Sequence, residues 1–239
     1  ITKKIKPEII LATPPCQGMS TAGQKKDFDK RNDLTIDLIN FIKKTSPKYV
    51  FLENVPLFLK TKIRVHNSTI LLKDLIYIEL GKMYSIDFKI LNSMNFSVPQ
   101  SRSRVVFLLT RNDLTNKWNF PQEDKIIKNL QTAIGDLPDL DPYIKDISVS
   151  ENLKIFPLFF KKKENGLSVS KWHKPPNHLK RQVLVMMNTP TGKSAFSNPI
   201  YKPIKENGEL VKGFKNTYKR QNWDSPAYTI TMDNVKISS

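Results

Sequence analysis

Between Glu8 and Leu109, short apolar runs alternate with stretches of helical periodicity, and this alternation limits the fold more than any other feature of the chain. Glu8-Ile9-Ile10-Leu11-Ala12 is an apolar run that stops at Thr13-Pro14-Pro15, where two prolines cannot donate to a ladder. Leu34, Leu38 and Ile42 share one helical stripe within 33–44, and Pro47 follows as a stop. Residues 49–52 predict a second buried strand. Residues 68–83 predict a second helix, with Leu71, Leu72, Leu75 and Ile76 at core spacing and Ser68 as its N-cap. Residues 86–91 and 104–109 predict two further strands. Strand, helix, strand, helix and two close strands make an α/β pattern with a parallel sheet and an antiparallel edge.

Beyond residue 112 the pattern weakens. Pro138, Pro142, Pro157, Pro175, Pro176, Pro190, Pro199 and Pro203 interrupt the chain, and no long helical stripe repeats. The expected organisation is a first domain over 1–112 and an irregular module, mostly β and loop, over 113–217. Residues 218–239 should return to the first domain, because 227–232 alternate like a strand.

Charge follows the same division. Residues 151–222 carry fifteen Lys/Arg against four Asp/Glu, a net +11 of the +17 total. Concentrated positive charge with interspersed aromatics suits a nucleic-acid surface, although a Lys-rich chain can be basic everywhere. No apolar run is long enough to suggest a membrane span, and no leader pattern opens the chain. The single cysteine excludes an internal disulfide and a thiolate metal cluster, so a reducing, cytoplasmic setting is expected and no metal site.

Three short segments carry candidate chemistry. Cys16 directly follows the Pro-Pro stop, at the carboxyl end of a strand, where open α/β sheets bind ligands. It reads either as apolar filler or as an exposed nucleophile, with Gly18 and Gly23 giving the following segment freedom. Glu53-Asn54-Val55 follows the second strand and shares an edge with Cys16 if the two strands are parallel; an ion pair or a helix cap is the plainer reading. Gln100-Ser101-Arg102-Ser103-Arg104 enters the last strand with two arginines on one face, either solvated or gripping a carbonyl oxygen and a phosphate.

Taken in order, these segments resemble a known family. Pro14-Pro15-Cys16-Gln17-Gly18-Met19-Ser20 resembles motif IV of the DNA (cytosine-5) methyltransferases of the prokaryotic modification type. Glu53-Asn54-Val55 is similar to motif VI, and Gln100 to Arg104 to motif VIII. Arg220 with Asp224, Pro226, Thr229, Ile230 and Thr231 is similar to motif IX. The resemblance implies part of an S-adenosylmethionine-dependent, Rossmann-like sheet, with a target-recognition domain between motifs VIII and IX.

It also implies the chemistry. Cys16 would add to C6 of a flipped-out cytosine, so that C5 becomes nucleophilic enough to accept a methyl group. Glu53 would hold N3 and N4 of the base, Arg104 its O2, Arg102 would support the loop, and Asn54 would position the Cys16 segment. Pro14 and Pro15 would border S-adenosylmethionine. Gln17, Ser20, Gln24, Gln100, Arg220, Thr229 and Thr231 would contact double-stranded DNA, with residues 18–30 as the closing loop. Trp172, His173, His178, Arg181 and Gln182 are candidate base readers.

A bacterial, nucleoid-associated enzyme paired with a restriction endonuclease is the implied setting. The Gly-rich turn and acidic residue with which the family grips the cofactor are not found, so the chain reads as a fragment that would be inactive alone. A DNA-binding remnant without catalysis, a thiol hydrolase and an RNA-methylating relative are the competing expectations.

Overall fold

The computed structural model describes residues 6–15, 33–65, 68–124, 126–211 and 218–230. In chain order these form β1 (Ile9–Ala12), α1 (Leu34–Thr45), β2 (Tyr49–Asn54), β3 (Lys62–Val65), β4 (Ser68–Leu71), α2 (Leu72–Leu80), β5 (Tyr84–Asn92), β6 (Gln100–Ser101) and β7 (Ser103–Arg111). There follow α3 (Leu130–Ile134), β8 (Tyr143–Ile144), α4 (Val149–Ile155), α5 (Phe159–Val169), β9 (Asn177–His178), α6 (Lys180–Met187) and β10 (Ala227–Tyr228).

The chain divides into two units. The first comprises Ile1–Phe96 and Arg102–Lys125, and the second Ser97–Ser101 and Ile126–Ser239. Residues 113–124 therefore belong with the first unit. The described residues after 217 belong with the second, where β10 pairs with β6 in parallel.

The first unit is built on a four-stranded sheet in the order β1-β2-β7-β5. β1 and β2 are parallel, whereas β7 runs antiparallel to both β2 and β5. The reversed strand thus lies inside the sheet rather than at its edge. Its residues from Val105 to Thr110 are all buried, which is why the segment reads as a continuous apolar run instead of an alternation.

Alternation returns in β2, where Val50, Leu52 and Asn54 face the core and Tyr49, Phe51 and Glu53 face away. α1 contributes Ile39 and Ile42 to that core, and α2 contributes Leu72, Leu75, Ile76 and Leu80. Phe107 contacts Phe58 edge-on at 5.8 Å and stacks on Phe88 at 5.1 Å. α1 ends at Ser46, which takes a left-handed φ of 47°; Arg111 donates to the Ser46 carbonyl and the Tyr84 hydroxyl to that of Pro47. Among the described residues β1 and β5 are the outer strands of this sheet, and Leu11 of β1 is 74% exposed.

The second helix departs from expectation. The helix expected over 68–83 begins only at Leu72, and Leu71, not Ser68, is its N-cap. Ser68-Thr69-Ile70-Leu71 instead pairs antiparallel with Lys62–Val65, because two β-branched residues favour an extended chain when a partner strand lies two residues away. The second unit is mostly loop among its described residues, as expected, with strands of two residues each and four short α-helices between the prolines. Prolines punctuate it, but the intervals between them are long enough for one to three helical turns. α4 is closed by a capping box in which Ser148 and Glu151 exchange hydrogen bonds.

Candidate active site

The parallel register of β1 and β2 fixes the first half of the site. Ala12 lies opposite Leu52, so Thr13-Pro14-Pro15 and Glu53-Asn54 leave the sheet at the same edge. Asn54 ties the two together. Its side chain is 2% exposed; Nδ2 donates to the Pro14 carbonyl at 3.1 Å, and Oδ1 accepts the Val55 N–H at 2.8 Å.

β7 supplies the second half. Glu53 lies opposite Val106, which makes Arg104 its diagonal neighbour on the same face. The Arg104 Nε donates to Glu53 Oε1 at 2.7 Å, with both side chains about a quarter exposed (22% and 27%). Arg104 Nη1 donates to the Ser103 carbonyl at 2.7 Å. Among the described residues, Nη2 is the edge of the fork directed at no recorded partner, and it can meet a ligand oxygen.

Arg102 sits between β6 and β7, outside the ladder. Its N–H donates to Asn92 Oδ1 at 3.0 Å, and its carbonyl accepts the Ser93 N–H at 3.0 Å. The same Asn92 oxygen accepts the Met94 N–H at 3.3 Å, and Asn92 Nδ2 donates to Ser103 Oγ at 3.4 Å. Asn92 therefore holds the Arg102 N–H and the Ser103 hydroxyl beside it. Sequence reasoning did not single it out. The available signal is an amide residue closing an apolar run just before a Pro-containing loop.

In the second unit, β6 and β10 bring Gln100 beside Ala227 and Ser101 beside Tyr228. Thr229 Oγ1 donates to the Ser101 carbonyl at 3.0 Å, and the Ala227 N–H to Pro99 at 2.9 Å. Arg220 holds backbone: its guanidinium donates to the Met186 carbonyl at 2.6 Å, and its N–H to Lys193 at 3.0 Å. Arg181 donates to the Ile204 carbonyl and to Glu206. Gln182 accepts the Leu179 N–H, and His173 Nε2 lies 2.7 Å from the Pro138 carbonyl. His178 is half-buried in β9, and its burial, with Lys145 nearby, lowers its pKa. Cys16, Gln17, Ser20, Gln24 and Thr231 lie outside the described residues.

Among the described residues no group of three or more His, Cys, Asp or Glu is placed to hold a metal ion, and no helix is long and apolar enough to cross a membrane.

Known proteins are similar to this chain over half to nearly all of its length. The Type II methyltransferase M1.HgaI of Avibacterium volantium is 38% identical over 237 residues, which is 97% of this chain and 59% of that protein. The Type II methyltransferase M.DdeI of Desulfomicrobium norvegicum is 37% identical over 140 residues, covering 55% of this chain and 32% of its own length. The chain thus spans about three fifths of the first relative and a third of the second.

A prophage-encoded protein of E. coli, described as a DNA modification methyltransferase, superimposes with a TM-score of 0.55 over 94% of this chain and 66% of its own. At 16% identity that likeness shows a shared fold. The family described as C-5 cytosine-specific DNA methylase matches residues 1–238. With 38% identity to M1.HgaI along nearly its full length, the chain belongs to the C-5 cytosine-specific DNA methylase family.

Proposed function

We propose that this protein methylates C5 of a cytosine in a specific duplex DNA sequence, by transient addition of the Cys16 thiolate to C6. The observation that supports this most is the Glu53–Arg104 pair, with Asn54 bound to Pro14, at the edge where the Cys16 segment begins. A carboxyl beside a guanidinium presents donor and acceptor groups to one face of a cytosine. Glu53 takes N3 and N4, while Arg104 offers its remaining N–H groups to O2.

As the Cys16 sulfur bonds to C6, the C5–C6 π electrons move toward C5, and charge rises on the N3–C2–O2 side. Glu53 and Arg104 meet that charge with groups already in place, so no reorganisation is required of them at that moment. Asn54 holds Pro14, two residues before Cys16 in the chain. Arg102, clamped by Asn92, supports the approach to Arg104.

The target base must leave the helix to reach this edge, at a cost of a few kcal/mol that phosphate contacts offset. Gln17, Ser20, Gln24, Gln100, Arg220, Thr229 and Thr231 are assigned to DNA, and the +11 charge over 151–222 supplies non-specific attraction.

S-adenosylmethionine is the proposed methyl donor. The described residues do not by themselves fit it: Pro14 has its carbonyl committed to Asn54, and neither Pro14 nor Pro15 has a side chain that could bind ribose hydroxyls or an amino-acid group.

The organism would use the activity to protect its DNA from a cognate restriction endonuclease, in the bacterial cytoplasm at the nucleoid. The test is bisulfite sequencing of plasmid DNA from a host expressing the complete parent gene, beside its Cys16→Ala version. Protected cytosines in one short motif, lost in the variant, are expected. Soluble protein with no protected cytosine would replace this reading with that of a DNA-binding remnant without catalysis.

A further inference from the structure

In the second unit, one large aromatic side chain is held out in water by a well-anchored turn. Trp172 is 77% exposed, in the turn that follows α5. Ser170 Oγ accepts the Trp172 N–H at 3.2 Å, and the Ser170 carbonyl accepts the His173 N–H at 2.9 Å. His173 Nε2 lies 2.7 Å from the Pro138 carbonyl; a carbonyl only accepts, so Nε2 carries the proton in that bond. Gly166 of α5 lies close beneath, and a Cβ there would come within 2.6 Å of the His173 carbonyl oxygen.

These anchors fix the backbone without using the indole. A small polar residue would satisfy the same turn, so the packing of this unit does not explain the tryptophan. An exposed indole displayed on a fixed turn beside a lysine has the form of a platform on which a base can stack.

Its surroundings indicate the partner. Lys171 Nζ lies 5.2 Å from the Trp172 ring centroid, and exposed Lys174 follows two residues on. Lys162 of α5 is already paired with Asp139 and Asp141, whereas no acidic residue lies between Asn165 and Lys205. A cation over an exposed aromatic ring, with a second exposed lysine two residues on, complements a polyanion that carries flat rings, which is the chemistry of a nucleic acid.

We propose that Trp172 stacks on a nucleobase of the bound DNA and that Lys171 and Lys174 contact the phosphates beside it. The inference rests on the reading that DNA is the substrate. Stacked duplex offers no free base face, so the partner is a base exposed when the helix is bent or the target cytosine is extruded. Trp172 would then strengthen binding at the stage when a base has already left the stack.

The experiment uses the complete parent protein and duplex oligonucleotides carrying the motif found protected by bisulfite sequencing. Dissociation constants are measured by fluorescence anisotropy across a salt series for wild type, Trp172→Ala, Trp172→Phe and Lys174→Ala. Because stacking carries no charge, Trp172→Ala should weaken binding by about ten- to a hundredfold at every salt concentration, with the salt slope unchanged. Trp172→Phe should restore most of the affinity. Lys174→Ala should instead lower the slope by about 0.9, the value for one lost phosphate contact.

Trp172→Ala that binds as tightly as a wild type which methylates its motif overturns this inference and leaves the proposed function standing. A wild type that neither binds nor methylates DNA overturns both. A change in sedimentation with DNA affinity intact would assign Trp172 to a protein interface and overturn the stacking role.

Discussion

Replacing Asn54 by alanine tests whether the end of β2 holds the segment that leads to Cys16. The side chain is 2% exposed and makes two hydrogen bonds, to the Pro14 carbonyl at 3.1 Å and from the Val55 N–H at 2.8 Å. Each such bond contributes about 0.5–1.5 kcal/mol net, so losing both costs about 1–3 kcal/mol. Pro14 and Val55 are only half-buried, and water can reach the groups left behind, so a middle value of about 2 kcal/mol is expected. At a urea m value of about 2 kcal/mol/M the unfolding midpoint should fall by about 1 M.

Asn54→Asp keeps an acceptor for Val55 but turns a carboxylate oxygen toward the Pro14 carbonyl, so at neutral pH it should be at least as damaging. The chain has one cysteine, and a thiol reagent therefore reports on Cys16 alone. Its alkylation rate under native conditions should change in the alanine variant, because Cys16 follows Pro14-Pro15 directly. A midpoint shift below about 0.3 M together with an unchanged alkylation rate would refute the argument.

Gly166→Ala should lower the thermal midpoint, although alanine normally gains about 1 kcal/mol over glycine inside a helix. The added Cβ would come within 2.6 Å of the His173 carbonyl oxygen and 2.7 Å of Leu140 Cδ2, and a raised midpoint in calorimetry would contradict this packing. His178 has its pKa held below the ordinary 6.5, chiefly by burial and then by Lys145. The unfolded chain therefore takes up that proton first, and the stability is present above about pH 6.5 and lost as pH falls through the folded value. His178→Gln should flatten the urea midpoint between about pH 7 and 5. Hydrogen bonding to Lys162 lowers the pKa of Asp139, and Asp139 in turn raises that of Lys162. The Asp139 contribution is present above the ordinary aspartate value and lost as pH falls through the folded one, and the Lys162 contribution is lost only as pH rises past its raised value. Lys162→Met should remove both dependences, and an unchanged acid limb in the same titration would count against the pair.

Much of the first unit can be read from residue patterns because its signals are local. Prolines 14, 15 and 47 mark ends that β1 and α1 respect, but of the stripe Leu34, Leu38 and Ile42 only Ile42 is fully buried; Leu38 packs partly against the core, Leu34 is exposed in the first turn, and Ile39 is buried beside Ile42 instead. The fully apolar stretch of β7 announces a strand covered on both faces, but not its direction, because a buried parallel strand and a buried antiparallel one look alike in composition. The β3–β4 hairpin was hidden for a related reason: Leu71, Leu72, Leu75 and Ile76 form a helical stripe, and only tertiary pairing assigns Leu71 to the strand. In the second unit the frequent prolines signal irregularity. The helices α4 and α5 lie between them, and periodicity is hard to see over seven and eleven residues. For the site, residue types and order were legible, whereas the Asn92 clamp and the capture of Arg220 by Met186 depend on contacts distant in sequence.

The reversal of β7 is what completes the site. β1 and β2 both end at the edge where Pro14 and Asn54 meet, so a third parallel strand would also arrive there with its last residues and would need a crossover to do so. An antiparallel strand begins at that edge, and its first residues, Ser103 and Arg104, lie beside the end of β2 without any long connection. Register then becomes decisive. With Glu53 opposite Val106, Arg104 shares its face; a slip of one residue would turn the arginine into the core side and put Phe107 outside. Phe107, packed against Phe58 and Phe88, resists that slip by its burial, and Asn92 resists it by holding the backbone of Arg102. The Glu53–Arg104 pair is therefore set by a hydrophobic contact two strands wide and a half-buried amide.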